Sequence, residues 1–101
     1  MDKKQPAIIL NSDFNALSIC QELNKLKIKC YVMDFKKGIA KYSKYNKFIK
    51  CPNPINQETE FINFLYNFCI KLEQTPIIIP TMDSWALAIS KSKNKLSTVA
   101  K

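Results

Sequence analysis

The chain has 101 residues, enough for one small domain with a real core but little stability to spare. Apolar residues make up 47% of it, which excludes disorder, and no apolar run approaches the roughly 18 residues of a membrane span. The net charge is +8 and histidine is absent, which removes every mechanism built on an imidazole base.

Met1-Asp2-Lys3-Lys4-Gln5-Pro6 is charged and has no signal-peptide core, so a cytoplasmic protein with no membrane partner is expected. "AIILN" at 7–11 is a short apolar run that suits a strand buried on both faces. In "SDFNALSICQELNKLK", Ala16, Ile19, Cys20, Leu23 and Leu26 recur at three- and four-residue steps, the stripe of an amphipathic helix. Ser12 or Asp13 can cap it by accepting a free N–H of the first turn.

"IKCYVMDF" at 28–35 predicts a second strand, and "NKFIKC" at 46–51 a third. Between them lies a basic connection holding the only glycine, Gly38. A hairpin is conceivable here, but strands that look buried on both faces favour a parallel crossover. "PNPIN" then stops the strand. Next comes the clearest helix, 57–74, with Phe61, Phe64, Leu65, Phe68, Cys69 and Leu72 on one face and Asn56 as the expected N-cap. Glu58 and Glu60 in its first turn suit the helix dipole. "PIII" at 76–79 is the fourth strand, and "SWALAISKSKNKL" at 84–96 a last helix with Trp85, Ala88 and Ile89 inward. Strands alternating with helices predict an α/β fold: a small three-layer, Rossmann-like single domain over 1–101, with about four mostly parallel strands and helices on both faces.

Cys20, Cys30, Cys51 and Cys69 show no C-x-x-C spacing, and without histidine a metal site is not expected. Each sits among apolar neighbours, which points to reduced, buried thiols acting as small hydrophobes. The charge is uneven. Residues 25–50 hold nine lysines and one acid, Asp34, with Tyr31, Phe35, Tyr42, Tyr45 and Phe48 interleaved. Lysines on phosphates and rings on bases would make a nucleic-acid module. There is no arginine, however, the residue that grips phosphate and guanine bidentately, so a solvated basic face is the simpler reading.

In open parallel sheets ligands bind beyond the carboxyl ends of the strands. Three turns fall there: Asn11, Ser12, Asp13 and Asn15; Asp34 with its lysines; and Thr81 with Asp83. Such residues also cap helices and close turns without any further role, and Thr81 and Asp83 are expected to cap the last helix. No catalytic residue is assigned. The first turn lacks G-x-G-x-x-G, and a β-carbon at Asn11 and Ser12 obstructs close approach of a pyrophosphate, so no bound dinucleotide is expected.

Three segments in order resemble one family. "PAIILNSDFNALSICQELNKLKIKCYVMDF" is similar to the opening of bacterial ATP-grasp carboligases, which include carbamoyl-phosphate-synthase-like and amino-acid-ligase-like proteins. That opening runs strand, Gly-Gly-x-x-Asn-Ala-Leu turn, helix, and a strand ending in an acid. Asn15-Ala16-Leu17 matches the turn, while Asn11-Ser12 replaces the paired glycines. "GIAKYSKYNKFIKCPNP" resembles the family's next segment, and "IIIPTMDSWALAISKSKNKLS" its Ile-Pro-Thr-x-Asp turn and helix. The resemblance implies the N-terminal, pre-ATP-grasp domain of a larger ligase, non-catalytic by itself. It further implies that downstream ATP-grasp domains carry ATP and Mg²⁺, and that the parent joins a carboxylate to an amine. Asn11, Ser12, Asp13, Asn15, Asp34, Thr81 and Asp83 would face the substrate side. The alternative is a stand-alone nucleic-acid-binding module using 25–50.

Overall fold

The computed structural model describes residues 5–11, 14–35, 47–72, 74–81, 83–97 and 99–100. They form β1 (Ala7–Leu10), α1 (Phe14–Lys25), β2 (Cys30–Asp34), β3 (Lys47–Lys50), α2 (Glu58–Ile70), β4 (Ile77–Pro80), α3 (Asp83–Lys91) and the short α4 (Lys93–Leu96). The basic connection around Gly38 and the proposed Ser12 and Asp13 caps lie outside the described residues.

All three strand pairings are parallel, and the sheet order is β3-β2-β1-β4. The parallel β2–β3 pair rules out the hairpin. The β1-to-β2 and β3-to-β4 crossovers travel in opposite directions across the sheet. One handedness applied to opposite directions places α1 on one face and α2 on the other. The two halves of the core show this. Ala7, Ile9, Cys30 and Val32 pack with Ala16 and Cys20 of α1. Ile8, Leu10, Tyr31 and Met33 pack with Phe61, Ile62, Leu65 and Cys69 of α2, and with Trp85, Ala88 and Leu96. The period-two alternation of β1 and β2 therefore feeds both layers, and every residue of both strands is buried. Burying each large aliphatic side chain contributes roughly 1.5–3 kcal/mol. The outer strands are different. β3 and β4 are only partly covered, so the expectation of burial on both faces holds for the central pair alone.

The free edge of β4 has few donors. The Ile77 and Thr81 N–H groups bond back to Pro6 and Leu10, so the alternate positions face outward. Those positions are Pro76, just before the strand and fully buried, Ile78 and Pro80. Only Ile78 brings an amide hydrogen to that edge.

Helix ends depart from the sequence expectations in three places. α1 stops at Lys25, and Leu26, counted on its inner stripe, is 56% exposed in the turn that follows. There the Ile28 N–H bonds to Leu23 and the Lys27 N–H to Asn24, a Schellman closure with Lys27 at φ 61°. At α2 the N-cap position belongs to Gln57, and Asn56 is exposed. Asn53 organises this turn instead. Its side-chain oxygen accepts the Ile55 N–H at 2.8 Å, its carbonyl accepts the Gln57 N–H at 2.8 Å, and its own N–H reaches the Gln57 Oε1 at 3.2 Å. Finally, the last helix is two. A three-residue bond from Ser92 N–H to Ile89 ends α3, and α4 swings Leu96 back onto the core.

Candidate functional site

A parallel sheet collects the carboxyl ends of its strands along one edge and the N-termini of its helices beside them. Here β1 is followed on one side by β2 and on the other by β4, so the strand order reverses between β1 and β4. In this class of fold the crevice for a ligand opens above that reversal.

Asn11 and Thr81 flank it. The Asn11 N–H donates to the Met33 carbonyl at 2.7 Å, extending the β1–β2 ladder by one bond. Its φ is 85°, which ends the extended backbone of β1. Asparagine is among the few residues other than glycine that accept this region at modest cost. On the other side, both polar hydrogens of Thr81 converge on one acceptor. Its N–H reaches the Leu10 carbonyl at 3.3 Å and its hydroxyl reaches the same oxygen at 2.8 Å. Thr81 lies two residues before the first helical residue of α3, and its hydroxyl hydrogen goes to the end of β1.

Asp34 ends β2 and is 1% exposed. Its carboxylate accepts the Phe35 N–H at 2.7 Å, and its backbone carbonyl accepts the Cys51 N–H at 3.0 Å. Burial pushes the Cys51 thiol up to about 12, and the Asp34 charge adds to this. So the acid at this edge is buried against its own turn, and it is the backbone carbonyl of the same residue that joins the ends of β2 and β3. Cys51 is no nucleophile there, because the thiolate is the reactive form.

The same edge carries an aromatic cover that the periodicity did not single out as such. The Phe35 and Trp85 rings stack at 6.1 Å, and Phe61 meets Trp85 edge-on at 5.4 Å. Trp85 was legible as an inward residue of its helix, but its pairing with Phe35 depends on the strand order. Asn15 is the second residue of α1 and Asp83 the first of α3, so both belong to helix starts at this edge. Ser12 and Asp13 lie outside the described residues. The structure thus brings Asn11, Asp34 and Thr81 together on one edge, each with a backbone group bonded to the end of a neighbouring strand.

Among the described residues no three His, Cys, Asp or Glu gather where a metal ion could sit, and no helix is long and apolar enough to cross a membrane. All four cysteines are free and buried. Fold and site edge together define a small Rossmann-like α/β domain. Comparison with known protein families and with curated proteins finds no match.

Proposed function

We propose that this chain is the substrate-side, pre-ATP-grasp domain of a carboxylate–amine ligase. The observation that carries the reading is the turn after β1. The family pattern has a glycine where Asn11 stands, and Asn11 holds φ 85°, a backbone region glycine enters freely. Asn11 adopts a backbone angle that suits the glycine of the family pattern, which supports the reading. The Ile-Pro-Thr-x-Asp segment supports the same reading, because its threonine is the residue that fastens β4 to β1 beneath the crevice.

In this reading the domain supplies one wall of the acceptor site and no chemistry. Asn11 carries a β-carbon at the place where a phosphate-binding turn needs bare backbone, so nucleotide and Mg²⁺ belong to the domains that follow. Those domains would phosphorylate a carboxylate, and an amine would displace the phosphate. An apolar groove of about 300 Å³ lined by Ile78, Ile89, Leu96 and Ala100 lies between β4, α3 and α4 and suits a neighbouring domain of the same ligase.

The test has two arms. Calorimetry of residues 1–101 with Mg-ATP is expected to show no binding. The parent protein that continues past Lys101 is expected to release ADP only when a carboxylate and an amine are both supplied. Tight Mg-ATP binding by residues 1–101 alone overturns the proposal, as does a parent without ATP-dependent ligation.

A further inference from the structure

Opposite the crevice, the amino edge of the sheet collects the strand starts and the C-termini of α1 and α2. Lys27 and Lys29 precede β2, Lys47 opens β3 and Lys71 follows α2; all four are exposed and none joins an ion pair among the described residues. Lys29 lies 5.3 Å from the Tyr31 ring centroid, which leaves its charge at the surface. Lys25 is there too, paired with Glu22 at 2.8 Å, and Glu22 is the only acid among the described residues near this edge. Three of the large exposed apolar side chains sit among these lysines: Leu26 after α1, Ile70 at the end of α2 and Ile77 at the start of β4, exposed by 56%, 54% and 40%. The strand spacing of about 4.8 Å spreads Lys47 and Ile77 over roughly 14 Å, with one helix end above the sheet and one below.

We propose that this amino edge docks on an anionic lipid bilayer, with lysines at the headgroups and Leu26, Ile70 and Ile77 at the acyl boundary. The charge is complementary to such a surface, and each lysine near it strengthens binding by about fivefold. The aliphatic side chains favour a bilayer over a nucleic acid, where they have nothing to stack on, and the absence of arginine points the same way. The expectation of no membrane partner came from the lack of a signal-peptide core and of a spanning segment; an edge that only rests on the surface needs neither. The proposal stands apart from the ligase reading, since it concerns the opposite edge.

The test is co-sedimentation of the chain with vesicles of phosphatidylcholine alone and of phosphatidylcholine mixed with phosphatidylserine. Binding is expected only to the mixed vesicles, falling with added salt and by about fivefold for each of Lys27→Gln, Lys29→Gln, Lys47→Gln and Lys71→Gln. The double variant Leu26→Ser, Ile70→Ser is expected to bind at least tenfold more weakly with an unchanged circular dichroism spectrum. No binding to the mixed vesicles overturns the proposal. So does full binding by the double variant, which would mean simple charge attraction. Binding to single-stranded RNA at physiological salt that the same lysine changes abolish would assign the edge to nucleic acid and overturn it as well.

Discussion

The Thr81 hydroxyl donates to the Leu10 carbonyl at 2.8 Å, while the Thr81 N–H approaches the same oxygen at 3.3 Å. One carbonyl at the end of β1 therefore holds the end of β4 twice. The hydroxyl bond is the shorter of the two. Replacing Thr81 by Val keeps the shape and removes that bond. The expected cost is about 1 kcal/mol in urea denaturation, and Thr81→Ser should recover most of it.

Lys27 closes α1 at φ 61°, where its β-carbon crowds the following carbonyl. Lys27→Gly removes the crowding while the Schellman bonds remain. A net gain of about 0.5–1 kcal/mol is expected, smaller than the strain relieved because glycine loses more freedom on folding. Asn11→Gly has the same backbone rationale at φ 85° but deletes a buried carboxamide, so no gain is expected there. Equilibrium denaturation of the two variants side by side separates strain from side-chain contacts.

Trp85 is the only tryptophan, and it joins Phe35 to Phe61. Trp85→Ala opens a cavity in the α2–α3 half of the core. The expected loss is about 3–5 kcal/mol, a large part of the roughly 5–15 kcal/mol available to a domain of this kind. Trp85→Phe should lose less. In the native protein the indole emission should be blue-shifted and move red in the same urea transition seen by circular dichroism.

Burial holds the Cys51 thiol up at about 12 and the Cys69 thiol at about 11, against an ordinary value of 9.0. Cys20 is raised and Cys30 lowered by the one bond they share, so that pair offsets itself and the effect rests on Cys51 and Cys69. Above pH 9 the unfolded chain releases these protons and the folded chain keeps them. The unfolded state then binds fewer protons, so the thiol contribution is complete below pH 9 and is lost as pH rises toward about 12. Urea midpoints at about pH 8 and about pH 10 should fall in that order. At the lower pH, iodoacetamide should modify none of the four thiols until denaturant is added.

Much of this architecture is carried by local pattern. Ile8 and Leu10 alternate with Ala7 and Ile9, and α2 repeats apolar residues at helical steps, so element type and inward face follow from spacing. What spacing omits is competition between neighbours. Asn56 had the right chemistry for a cap, but Asn53 could bond Ile55 and Gln57 together and took the turn. Leu26 fitted the stripe of α1, but the chain left the helix before reaching it. Asp34 is a candidate because it ends a strand at the edge where open parallel sheets bind ligands; that it is only 1% exposed is not contained in a one-dimensional pattern. The pairing of Phe35 with Trp85 is hidden for the same reason, since fifty residues separate them in the chain.

The two prolines at β4 act beyond their own strand. A short run of isoleucines at the rim of a sheet is an invitation for another chain to add itself and start a fibril. With Pro76 buried and Pro80 at the other outward position, an incoming strand meets one amide hydrogen, that of Ile78. The edge therefore resists templating a stack of its own kind while leaving its side chains free to pack. Replacing Pro80 with a residue that carries an N–H would be expected to raise the aggregation propensity of the protein, while Pro76 is fully buried and its replacement would disturb packing as well.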